Sequence, residues 1–285
     1  MSEEAELIAK AIESLRADSN WFKDYLFPIV GSFLSAILGA FAAYFTLQFQ
    51  EKNKAEKEKL QICNDWTLSV EGLFQSLIAL KGNYYENITG DPFQRALHVR
   101  SIIGENPPIT RNVSELSFLV PTKDDPSSLD VKWRSLSRIN GVISNYNLIL
   151  KIWDKRNSIE RPLREKLITA FGDKAYADLK HQQILDTLSE RDLVSLIDLT
   201  EKAIHLTDDI ILELNDFLCN FPNVAKSLIK IKKVKKYVRL ITFDNSENNF
   251  LQTLMKKCPE LECKMLVNLY GKPESEIQKL YDNGY

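Results

Sequence analysis

Glycine is scarce in this chain, ten in 285 residues, about half the usual share of roughly 7%. That scarcity argues against glycine-rich phosphate loops and against turn-dense β architectures. Cysteine is sparser still: Cys63, Cys219, Cys258 and Cys263 are too few for a disulfide scaffold. Only Cys258 and Cys263 lie close together, and no second pair or neighbouring histidine completes a zinc set. Reduced, partly buried thiols are therefore expected. A cationic excess is also lacking. The formal net charge of −2 gives the whole chain no general attraction for nucleic acid.

Catalytic signatures are missing as well. The three histidines are His98, His181 and His205, and no HExxH, P-loop or GxSxG occurs. His205 with Asp208 and Asp209 has the spacing of one helix face, yet a histidine on an acidic face needs no metal to explain it. No catalytic residue, metal or cofactor is expected. The last pair of helices, joined at Gly271-Lys272-Pro273, opens its second member with Glu274, Ser275 and Glu276. Phosphates would repel those carboxylates, so DNA reading is not expected.

Against these absences stands one long apolar run. From Tyr25 to Gln50 there is no charged residue, and roughly 20 apolar helical residues suffice to cross a bilayer's hydrocarbon layer. The run predicts a single transmembrane helix. An acidic leader and the length of the apolar stretch both argue against a cleaved signal peptide. At about 100° per residue, Gly31, Ser32, Ser35, Ala36, Gly39, Ala40 and Ala43 fall on one half of that helix. Phe33, Leu34, Ile37, Leu38, Phe41, Tyr44 and Phe45 fall on the other. Inside lipid, helices associate through close backbone approach and interhelical hydrogen bonds rather than through the hydrophobic effect. The small-residue half is accordingly the predicted oligomerisation face. Ser32, Ser35 and Thr46 would line a narrow polar path if such helices closed into a ring.

Flanking charge sets the orientation. Lys10, Arg16 and Lys23 are outnumbered by acids before the run, whereas Lys52, Lys54, Lys57 and Lys59 follow it closely. Lysines and arginines near a span favour the cytoplasm, so the large C-terminal part is expected there, with an inner or plasma membrane as the location. The aromatic cluster of Trp21, Phe22, Tyr25 and Phe27 suits the interface.

The rest of the chain reads as all-α: a helical-bundle domain at the end of a helical stalk. The expected divisions are an amphipathic segment at 1–24, the span at 25–50 and the stalk with a first bundle helix at 51–81. An irregular connector follows at 82–128, with a helix from Phe93 to Ile103 and a minor strand at Leu116 to Val120. The helical domain occupies 129–285. Within it, apolar residues at steps of three and four predict a helix from Leu129 to Trp153 and another ending at Gly172. A third runs over 174–188 and a fourth follows a Ser189 cap, stopping near Pro222. Lys226 to Leu240 is then predicted as a basic helix. Its Lys226, Lys230, Lys232, Lys233, Lys235, Lys236 and Arg239 surround an apolar stripe and suit an anionic ligand or lipid surface.

The sequence thus predicts a single-pass, self-associating, non-enzymatic membrane protein that touches lipid, its own copies, and a protein partner or anionic ligand. The alternative is a membrane effector or pore, for example of a bacterial defence or signalling module, gated by its cytoplasmic domain. A membrane-tethered enzyme is the least supported reading.

Overall fold

The structure is a computed structural model that describes residues 3–17, 25–101, 110–122, 131–176, 179–230 and 239–282. Among them it is all-helical, with no strand. The helices are α1 (Glu3–Ala17), α2 (Phe27–Gly82), α3 (Pro92–His98), α4 (Leu136–Phe171), α5 (His181–Thr187), α6 (Glu190–Leu228), α7 (Asn249–Met255), α8 (Val267–Tyr270) and α9 (Glu274–Asp282). The chain forms two compact units, Met1–Lys57 and Glu58–Tyr285.

In the first unit, α1 opens with Glu3, Glu4 and Glu6 in its first turn, where carboxylates complement the positive end of the helix dipole. Its Leu7, Ile8 and Ile12 are exposed. The N-terminal part of α2 carries the apolar run. Pro28 falls in its first turn, where the missing N–H has no helical partner to lose. This is the one helix among the described residues long and apolar enough to cross a membrane.

The second unit is a bundle built on α4 and α6. Arg138 meets Glu213, Trp153 meets Thr207 and Arg156 meets Thr200. Partner numbers fall as the others rise, so the two helices run antiparallel. The C-terminal part of α2 lays Leu60, Trp66, Val70, Phe74 and Leu77 into the same core. A second apolar cluster joins Phe93 of α3 and Leu163 of α4 to Leu193 of α6, Leu266 and Ile277. Buried tryptophans need a partner for the indole N–H. Each of the three described has one: Trp66 donates to Glu115, Trp133 to Asp216 and Trp153 to Thr207.

Several sequence expectations need correction. Residues 113–119 form 3₁₀ turns rather than a strand, opened by the Asn112 side chain accepting from Ser114 N. A lone strand would leave its backbone unpaired, whereas the turns bury Leu116 and Leu119. The helix expected over 93–103 ends at His98. The helices expected on either side of residue 160 are one, α4, which starts at Leu136 behind a Ser135 cap and runs through Pro162. Pro222 likewise sits inside α6 rather than ending it. An internal proline costs about 3 kcal/mol, and burial beyond each one offsets it: Leu163 and Leu167 after Pro162, Ala225 and Ile229 after Pro222. Gly172 ends α4 as expected, with φ +56°, a conformation that glycine adopts at no steric cost. Ser189 caps α6 by accepting from Asp192 N.

Candidate functional site

The residues of the predicted oligomerisation face all lie on the outward surface of α2. Ser32, Ser35, Ala36, Gly39, Ala40 and Ala43 are exposed and Gly31 is half-buried. A Cβ added at Gly31 or Gly39 would meet open space. Phe27, Phe33, Leu38, Phe41 and Phe45 are each more than half exposed as well, so large side chains on the other half of the helix are also open. Ser32 Oγ donates to Ile29 O at 2.9 Å and Thr46 Oγ1 to Ala42 O at 2.7 Å. The hydroxyl protons of Ser32 and Thr46 are thus turned back onto their own helix.

The basic segment differs from expectation. Its residues do not form one helix over 226–240: α6 ends at Leu228, capped by Ile229 N–H donating to Ala225 O, and 239–240 are non-helical. Lys226 stands exposed in the last turn of α6, where a cation suits the negative helix end. Lys230 follows the cap. Lys232, Lys233, Lys235 and Lys236 lie outside the described residues, as do Trp21 and Phe22 of the aromatic cluster. The chain returns at Arg239, whose carbonyl accepts from Asn64 Nδ2 at 2.8 Å, while Asn64 Oδ1 accepts from Ile241 N at 2.9 Å. This two-way amide grip holds the segment to α2 in place of helical bonds.

The most organised polar feature is one that sequence reasoning missed. Thr200, Glu201, Thr207 and Asp208 repeat two turns apart on α6 and are all buried. Three buried cations face them: Lys81 from the last turn of α2, Arg95 from α3 and Arg156 from α4. Lys81 Nζ lies 2.6 Å from Asp208 Oδ1. Arg95 pairs with Glu201 and also donates to Pro259 O and, at 2.6 Å, to Thr89 O. Arg156 donates to Thr200 Oγ1 at 3.2 Å, to Ala96 O at 2.7 Å and to Val99 O.

These side chains also clasp the backbone of residues 256–262. Lys81 donates to Lys256 O at 2.6 Å, and Asp208 Oδ2 accepts from Cys258 N at 2.7 Å. Glu262 N donates to Gly90 O at 2.8 Å. A Cβ on Gly90 would stand 2.8 Å from Glu260 O, so this approach requires glycine. The only signal in the sequence is register. Lys81 follows Leu77 by four, Arg156 follows Trp153 by three, and Glu201 and Asp208 follow Ile197 and Ile204 by four. These are charges at apolar positions.

Burial dominates the electrostatics of these groups. Burial pushes Glu201 up to about 7, against the opposing pull of Arg95. Burial pulls Arg156 down to about 10, which leaves it charged at neutral pH. Burial, reinforced by Asp208, pushes the Cys258 thiol up to about 12, and burial alone does the same to Cys63. Neither thiol is an activated nucleophile. Asp208 is engaged by Lys81 and Asp209 by Lys257 at 2.7 Å, so both carboxylates beside His205 have cationic partners. Burial holds His205 below its ordinary value. Among the described residues, no group of three acidic, histidine or cysteine side chains has the arrangement of a metal site. A groove of about 610 Å³ between α4 and α6 is lined by opposed pairs, Arg138 with Glu213 and Lys257 with Asp209. It presents little net charge.

Compared with protein-family models, with curated proteins and with solved structures, the chain has no match, so its function rests on the chemistry of these residues.

Proposed function

We propose that the chain is a single-pass membrane anchor that self-associates, and that its helical unit is a non-enzymatic binding domain for a partner or anionic ligand. The observation that carries this reading is the uncovered apolar half of α2. Each large apolar side chain left in water forgoes about 1.5–3 kcal/mol of burial. Half a dozen of them forgo on the order of 10 kcal/mol, comparable with the whole stability of a typical domain. Lipid satisfies such a helix on every side without further protein. The lysines at 52, 54, 57 and 59 favour a cytoplasmic C-terminal side. The spacing of Gly31, Ser35, Gly39 and Ala43 at every fourth residue favours close contact between copies.

Two measurements test it. The chain should stay in the membrane pellet through an alkaline carbonate wash. In detergent it should have the mass of an oligomer, and Gly39→Leu should reduce that mass to the monomer's. Release by carbonate removes the anchor, and an unchanged mass in Gly39→Leu removes assembly through this face.

A further inference from the structure

The first unit carries a second helix with an open apolar face. At about 100° per residue, Leu7, Ile8, Ala11 and Ile12 of α1 fall within an arc of about 140°. Glu6, Lys10 and Glu13 fall on the other side. Glu4, in the first turn, is the one charge that intrudes on the apolar arc. Leu7, Ile8 and Ile12 are each more than half exposed, so the face stands open.

A helix of 15 residues is marginal in water on its own, so α1 needs a surface to lie against. The chain limits which surfaces are in reach. α1 ends at Ala17 and the uncharged run of α2 begins at Tyr25, and eight peptide steps span at most about 30 Å. The helix itself adds only about 22 Å. Where α2 enters a bilayer, the headgroup layer is therefore an apolar–polar boundary within reach, and α1 has the matching two-sided pattern. Its charge selects among lipids. Glu3, Glu4, Glu6 and Glu13 against Lys10 and Arg16, four acids to two bases, leave a net −2. Anionic headgroups repel such a helix, and zwitterionic ones do not.

We propose that α1 lies in the plane of the membrane interface, with Leu7, Ile8 and Ile12 sunk into zwitterionic lipid at the boundary where α2 enters. Apolar burial holds it there, without the attraction to anionic lipid that basic surface helices use. This inference rests on the proposed crossing of the membrane by α2 and goes beyond it. The chain holds one bilayer by two helices, one across it and one along its surface.

The test uses the full chain at one copy per phosphatidylcholine nanodisc, read by amide hydrogen exchange. Residues 3–17 should exchange slowly, and the Ile8→Glu/Ile12→Glu double variant should speed them at least about tenfold. Glu13→Gln, on the polar side, should keep the protection; an equal loss there overturns the assignment of the contact to the apolar face. Phosphatidylglycerol in place of phosphatidylcholine should weaken the protection, and protection that appears only with phosphatidylglycerol overturns the proposal. Protection absent at one copy per disc but present at several gives the face to a second copy of the chain and overturns lipid as its occupant. A chain retained in the disc whose residues 3–17 exchange at the rate of an unfolded peptide overturns the interfacial helix and leaves the anchor standing. A chain that is not retained overturns the anchor, and the interfacial helix with it.

Discussion

The two ends of α2 treat apolar residues in opposite ways. Between Phe27 and Phe49 the large side chains on one half of the helix and the small residues on the other are both largely exposed, whereas between Leu60 and Leu80 most apolar residues, the exposed Leu68 apart, fall on one buried stripe. Polar residues such as Asp65, Glu71 and Gln75 take the other side of that second half. One helix therefore carries two solvation patterns. A helix that is apolar all round belongs in a uniformly apolar surrounding, and a striped one belongs at a protein–water boundary. The second half then departs from its own rule at Lys81, a charge at the end of the stripe that is fully buried against Asp208.

That departure gives the largest expected effect. Asp208→Asn should destabilise the helical unit by about 3–5 kcal/mol, because it leaves a buried ammonium without its counter-charge. Lys81→Met combined with Asp208→Leu should cost far less, since no charge is then buried alone. Chemical denaturation of the three proteins measures both. Equal losses in the single and double variants would mean that packing, not charge pairing, sets the cost.

A smaller effect separates the two halves directly. Leu38→Lys should disfavour membrane insertion by about 2.5–3.5 kcal/mol while leaving the denaturation midpoint of the helical unit unchanged. Carbonate extraction and a melting curve read the two outcomes. Partial unfolding of the bundle in Leu38→Lys would show that the first half of α2 is not solvated independently.

The smallest is a pH dependence. Glu201 is raised from 4.5 to about 7 by burial, so the folded state holds its proton more tightly than the unfolded chain does. The stabilisation is fully present below about 4.5 and is lost as pH rises through about 7. Between pH 5.5 and 7.5 that amounts to roughly 2 kcal/mol. Glu201→Gln carries no titrating proton and keeps an acceptor for Arg95, so it should flatten this part of the stability profile. An unchanged slope in the variant would assign the pH dependence to other groups.

Much of this architecture was legible in the pattern of residues. The apolar run, the first bundle helix within 51–81, the Ser189 cap and the Gly172 stop each depend on neighbours within a turn or two, and the chain presents those neighbours directly. The predicted breaks near Pro162 and Pro222 and the strand at 116–120 failed for a shared reason. Each was judged on local propensity, while buried contacts with distant elements decided the outcome. The basic helix over 226–240 failed at its far end in the same way, since Asn64 supplies Arg239 and Ile241 with partners from 175 and 177 residues away.

By itself, then, the sequence determined that the chain is helical, where its long apolar helix lies and which face of that helix is small, because period and composition are local quantities. Only the tertiary structure decided that Lys81, Arg95, Arg156, Glu201 and Asp208 are interior. A charge is tolerated in a core only by partners brought from elsewhere in the chain. Arg95 and Glu201 are 106 residues apart, and no pattern within a helical turn records that they meet.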